Sequence, residues 1–160
     1  MRFTDSREFF EAAREASRDA ERIRRQLLEL EQRASSIGGG GFEPRVSATS
    51  DPDKMGRRVG AMVDAEAALR LRQDEDYRLM DAACMVLYGE GGRGGLAALV
   101  PPWWADVMWW RYLADESWER IGSIVGYSAH RCWEVAQTAL EMADANGMTD
   151  TIEGMGGAES

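Results

Sequence analysis

The chain is 160 residues long and carries 28 Asp and Glu against 19 Lys and Arg, a net charge of -9. That length allows one small globular core, with or without a helical stalk, and excludes two ordinary enzyme domains. An apolar share of 44% is too high for a disordered chain, and the acidic balance argues against a simple phosphate-coating protein, which works through surplus Lys and Arg.

Two cysteines, Cys84 and Cys132, and a single histidine give no zinc-ligand spacing, so both thiols read as buried or half-buried residues of a reducing compartment. The longest apolar run, Leu96 to Trp104, is broken by Pro101 and Pro102 and falls well short of the ~20 residues a membrane-spanning helix needs. The opening residues, with Arg2, Asp5 and Arg7, do not form a signal peptide. A cytoplasmic protein without membrane, metal or cofactor is expected.

From Phe9 the apolar positions run Phe9, Ala13, Ala16, Ala20, Ile23, Leu27, Leu30, Ala34, Ile37, in steps of four and three. This is a heptad seam over about four heptads and predicts a coiled-coil helix. Thr4 or Asp5 caps it, Glu8 sits in its first turn, and the glycines from Gly38 end it. Its arginines and glutamates lie within i,i+3 and i,i+4 reach of one another, the pattern of a solvated flank.

Residues 38–52, rich in Gly, Ser and Thr with Pro44 and Pro52, read as a flexible linker. A second long helix is expected from about Asp53, its stripe of Met55, Val59, Met62, Leu69, Met80 and Leu87 interrupted by Glu66, Gln73 and Asp76. Folded back on the first, it makes an antiparallel helical hairpin over 5–90. The seam is equally satisfied by pairing between two chains, so a homodimer through the coiled coil is an open alternative.

Gly89, Gly91 and Gly94 match the spacing of a dinucleotide-binding loop, but that motif needs a preceding strand, and Tyr77 to Tyr88 reads as helix. Pro101 and Pro102 start a short aromatic helix, Trp103 to Leu113. Ser117 then caps a helix with Trp118, Ile121 and Val125 inward, Gly126 closes it, and Ser128 caps the next. That last helix turns Cys132, Val135, Ala139 and Met142 inward, with Leu140 alongside, and leaves Ala129, His130, Arg131, Trp133, Glu134 and Gln137 to face elsewhere. The predicted class is therefore all-α: a long antiparallel coiled-coil hairpin followed by a small three-helix helix-turn-helix domain over 100–145, with 146–160 a disordered tail.

Read as one string, Arg111-Tyr112-Leu113, Ser117-Trp118-Glu119-Arg120-Ile121-Gly122, Gly126-Tyr127-Ser128 and Ala139-Leu140 resemble phage and prophage transcriptional regulators of the RinA/ArpU-like group. They are also similar to the fourth-region domain of sigma factors. The resemblance implies regulation of late or packaging genes through promoter DNA, with the helix after Ser128 in the major groove and RNA polymerase as a possible partner. It implies Ala129, His130, Arg131 and Glu134 as base-facing residues with Trp133 flanking, and Arg120, Ser128 and Gln137 complete the candidate DNA-binding set.

Charge pulls the other way, because residues 103–145 hold three arginines against seven carboxylates, a local net of -4. Segregation of Arg120, His130 and Arg131 to one face would reconcile the two. The rival readings are a helix-turn-helix fold that binds a protein, for example RNA polymerase, and a small terminase-like DNA-packaging subunit. The run Asp74-Glu75-Asp76 is too local for acid-base work, and no Ser-His-Asp or Cys-His set has supporting context, so no enzyme is expected. Of the six tryptophans, Trp104, Trp118 and Trp110 are expected in the three-helix core, with Trp103 and Trp109 packed beneath the coiled coil or a second subunit.

Overall fold

The computed structural model describes residues 3–38, 52–150 and 152. Among them are five α-helices and no strand, the all-helical class that the periodicity predicts: α1 (Ser6–Gly38), α2 (Pro52–Tyr88), α3 (Pro102–Tyr112), α4 (Trp118–Val125) and α5 (Ala129–Ala145). The expected linker lies, from 39 to 51, outside the described residues. The chain divides into two compact units, Ala20–Asp74 on one side and Met1–Asp19 with Glu75–Ser160 on the other.

In the larger unit the start of α1 is fixed from both directions. Asp5 caps it by accepting the Glu8 N–H at 2.8 Å, and the Glu8 carboxylate accepts the Thr4 N–H at 3.0 Å, which satisfies donors a helix start leaves open. Ser6 is buried, donates its N–H to Asp144 at 2.8 Å and shares a hydroxyl hydrogen bond of 3.1 Å with Thr149. Phe9 and Phe10 follow, both fully buried, with the Phe10 ring 5.5 Å from that of Tyr112. Phe10 lies off the heptad seam, so this end of α1 buries a broader face than a two-helix seam requires.

One apolar cluster collects Phe9, Phe10, Ala13 and Ala16 with Leu79, Ala83, Val86 and Leu87 of α2. Leu96 and Val100 from the connection join it, as do Met108 and Tyr112 of α3, Ile121 of α4, and Cys132, Val135, Ala136, Ala139, Leu140 and Ala143 of α5. The sequence separates 5–90 from 100–145, whereas this core takes residues from both sides of that gap. The physical reason is that helices as short as α3 and α4 cannot enclose a core alone, and the flanking helices supply the missing apolar area. Residues 146–150, the beginning of the expected tail, turn back on the unit: Thr149 is buried, and Met148 and Ile152 pack against the core. Residues 151 and 153–160 lie outside the description.

Polar tethers add direction to this packing. Ser17 donates its hydroxyl to the Leu113 carbonyl at 2.6 Å. Arg14 and Arg18 each place Nε on one oxygen of Asp115, at 2.6 and 2.8 Å. Asp115 is the one non-glycine residue with positive φ among the described residues, at 55°, a conformation Asp tolerates better than most. Arg14 is therefore not the solvated flank that its spacing predicts, and Arg18 divides between Asp115 and its i−3 neighbour Glu15, at 3.7 Å, whereas Arg24, Arg25 and Arg33 pair locally with Glu21 and Glu29. Such exposed pairs contribute about 0–1 kcal/mol each.

In the smaller unit Ala20 and Ile23 are buried, Leu27 and Leu30 half-buried, and Ala34 exposed; the Ile37 side chain is outside the described residues. On α2, Met62 and Leu69 are half-buried, while Met55, Val59, Val63 and Leu71 are exposed. Leu27, Leu30 and Ala34 face Val59, Met62 and Val63 across an open groove rimmed by Glu31, Glu66 and Arg70.

Acid titration tests the Asp115 tether. Burial raises the Asp115 pKa, but the hydrogen bonds and charges of Arg18 and Arg14 outweigh it, and the net shift is downward. A carboxylate with a depressed folded pKa contributes stability that is present above its unfolded value, near 3.9, and lost as pH falls through the folded one. The wild-type Tm is expected to fall more steeply below about pH 4 than that of Asp115→Asn, which keeps the backbone conformation but removes the charge. Parallel acid limbs in thermal melts would refute the tether.

Candidate nucleic-acid interface

The site is built on α4, α5 and the turn between them. Ser117 has extended backbone angles and accepts the Arg120 N–H at 3.1 Å, so α4 starts with a side-chain cap. At its other end Gly126 takes the left-handed conformation, φ 84° and ψ 27°, and both Gly126 and Tyr127 donate their N–H to the Gly122 carbonyl, at 2.9 and 3.1 Å. That geometry ends the helix and reverses the chain at little cost only with glycine. Ser128 then accepts the Arg131 N–H at 3.0 Å and opens α5.

Gly122 is the second glycine the turn requires. It lies inside α4 and is buried, and a Cβ there would stand 2.5 Å from the Tyr127 carbonyl oxygen and 3.2 Å from the Ala129 nitrogen. The absence of a side chain lets the start of α5 come down onto α4. Two aromatic contacts hold the rest of the arrangement: Trp103 of α3 stacks on Tyr127 with centroids 4.2 Å apart and planes 8° apart, and Arg111 of α3 lies 4.4 Å above the Trp118 ring. Arg111 also donates to the Glu116 carbonyl at 3.0 Å. All of Trp103, Trp104, Trp109, Trp110 and Trp118 are half-buried against the core, and Trp133 is exposed.

With Cys132, Val135, Ala136, Ala139 and Leu140 turned into the core, α5 presents a separate outward face. His130 and Trp133 lie on it with ring centroids 5.8 Å apart and planes 21° apart, and His130 Nε2 is 3.7 Å from the Glu134 carboxylate. Arg131 is exposed on the first turn of α5, and Arg120 occupies the same position on the first turn of α4. Neither guanidinium forms an ion pair among the described residues. Ala129 is half-buried at the turn and presents little more than backbone. Gln137 is half-buried, and its side-chain oxygen accepts a hydrogen bond from Arg7.

Arg7 belongs to the outward face and was not legible as part of it. It lies 130 residues from Gln137 in sequence, and no local spacing couples them. Its only sequence signal is its place between the cap Asp5 and the pair Phe9-Phe10, which fixes the first turn of α1 wherever the phenylalanines pack. Among the described residues no group of His, Cys, Asp and Glu could hold a metal ion. No helix among them is long and apolar enough to cross a membrane.

Two substitutions probe the turn. Gly122→Ala is expected to cost about 1–3 kcal/mol, the usual penalty of overpacking, because the obstacle is backbone and cannot swing aside. Ser128→Ala is expected to cost about 1 kcal/mol as a lost helix cap. Chemical denaturation measures both, and a Gly122→Ala variant as stable as the parent would mean that α4 and α5 are not held at this distance. Comparison of the chain with protein-family models, with curated proteins and with solved structures finds no match.

Proposed function

We propose that the chain is a DNA-binding transcription regulator of the phage or prophage type, in which α4 and α5 form a helix-turn-helix and α5 enters the major groove. The observation that carries the reading is the outward face of α5. It starts at a side-chain cap just beyond a tight left-handed glycine turn, and it presents His130, Arg131, Trp133 and Glu134 away from the core. A recognition helix needs that placement, with base-reading residues near its N-terminus.

The chemistry of the face suits base edges as well as phosphates. Arg131 has the fork geometry for guanine O6 and N7, Glu134 accepts from a cytosine amino group, and Trp133 offers apolar surface to a thymine methyl. The N-terminus of α5, with Arg131 and no acid in its first turn, favours phosphate oxygens, whereas Glu119 offsets Arg120 at the start of α4. The segments of α1 and α2 in the Ala20–Asp74 unit are read as a coiled-coil hairpin, with Met55, Val59 and Val63 free to meet a second copy.

A second reading, a protein-binding module, draws on a different observation. Ile124, Tyr127 and Trp133 are exposed around the turn, and the local charge of -4 opposes a polyanion. An RNA polymerase surface is the partner class this reading takes.

Selection of duplexes from a random library by the purified protein at low salt separates the two. The wild type is expected to enrich one sequence, and an Arg131→Ala, His130→Ala variant to lose at least tenfold in affinity for it, since a good bidentate base contact discriminates by about 1–3 kcal/mol. No enrichment would sink the DNA reading in favour of the protein-binding one.

A further inference from the structure

The first turn of α1 is anchored to α5 through Asp144 and to Thr149 just beyond it, and one side chain on that turn reaches the outward face of α5. Ser6 is held by Asp144 and Thr149, Phe9 and Phe10 are fully buried, and between them Arg7 is exposed with its guanidinium on Gln137. Among the described residues Arg7 forms no ion pair, and the nearest acid one turn along α1 is the exposed Glu11.

The hydrogen bond also restricts what Gln137 can do. A glutamine recognises adenine by accepting from N6 with its oxygen while donating to N7 with its amide nitrogen. Here one lone pair of the oxygen is taken by a guanidinium, which has donors only, so the pair Arg7–Gln137 presents a marked excess of N–H groups over acceptors. Gln137 is seven residues beyond His130, about 10 Å along the helix axis and on nearly the same side. An object lying against His130 and Arg131 along α5 would therefore meet this donor pair two turns later.

We propose that Arg7, supplied by α1 from outside the α4–α5 turn, joins Gln137 to form a donor-rich clasp for a DNA phosphate. The proposal rests on the reading of α5 as a DNA-facing helix. Arg7 then contributes one cation to a surface whose other arginines, Arg120 and Arg131, lie on the first turns of α4 and α5, and Gln137 is a phosphate contact, not an adenine reader. Phosphate contacts release counterions and carry little sequence information, which gives this clasp a signature distinct from that of base readout.

The test uses the duplex enriched by the wild-type chain and measures binding of wild type, Arg7→Ala, Arg7→Lys and Gln137→Ala across a salt series. Arg7→Ala is expected to weaken binding several-fold and to reduce the slope of log K against log salt by about one, uniformly across single-base variants of the site. Arg7→Lys should restore the slope, because the charge returns. Gln137→Ala should weaken binding without a new preference at adenine. An enriched duplex bound by Arg7→Ala with unchanged affinity and slope overturns the clasp and leaves the DNA reading standing. A wild-type chain that enriches nothing overturns both. Thermal melts of Arg7→Ala guard against a folding defect, which its exposed position makes small.

Discussion

Burial of Phe9 and Phe10 is the constraint on which the larger unit depends. Two adjacent aromatic side chains on a helix point in different directions, so satisfying both requires apolar surface on two sides of α1. The end of α2 and the α3–α5 group provide that surface, and the price of leaving either ring in water is about 1.5–3 kcal/mol. Once the rings are placed, Ser6 has no choice but to meet Asp144 and Thr149, and the next turns bring Arg14, Ser17 and Arg18 over Asp115 and Leu113. The polar contacts choose the rotation and register of a helix whose attachment is hydrophobic.

Much of the local structure was legible in the sequence because short-range chemistry writes it. Ser117, Gly126 and Ser128 cap and stop helices by contacts within three or four residues, and the structure has them doing so. Pro101 and Pro102 likewise begin α3 where a missing N–H costs nothing. The periodic inward residues of α5, Cys132, Val135 and Ala139, are buried as their spacing requires.

What the sequence concealed was long-range. A heptad seam says that α1 has an apolar stripe, and it cannot say that the first half of the stripe is spent on a globular core. The same limit hid Arg14, Arg18 and Arg7, whose partners Asp115 and Gln137 are about a hundred residues away or more. Arginines with glutamates at i,i+3 and i,i+4 look alike whether those glutamates or a distant aspartate hold them. Gly122 is a third case: a glycine in mid-helix reads as a defect worth about 1 kcal/mol until the backbone of the next helix is seen lying where its side chain would be.

The acidity of the chain and the proposed DNA contact are compatible once distance is considered. Screening at physiological salt removes most interaction between exposed charges beyond about 8 Å. Glu141 is ten residues past Arg131, about 15 Å along the helix axis, so its charge is nearly invisible to a phosphate at the first turn, though it lies one turn from Gln137. Asp115 is occupied by two guanidinium groups, and Asp144 by a backbone N–H. The carboxylates that remain close are Glu134, one turn from His130 and on the same face, and Glu119, exposed in the first turn of α4 beside Arg120. Two acids among Arg120, Arg131 and two helix N-termini lower affinity for phosphate in general, while Glu134 leaves a cytosine amino group as a favourable partner. On the proposed reading, then, the charge pattern trades nonspecific binding for selectivity, and the acidic remainder of the surface limits attachment to duplexes that offer the right base edges.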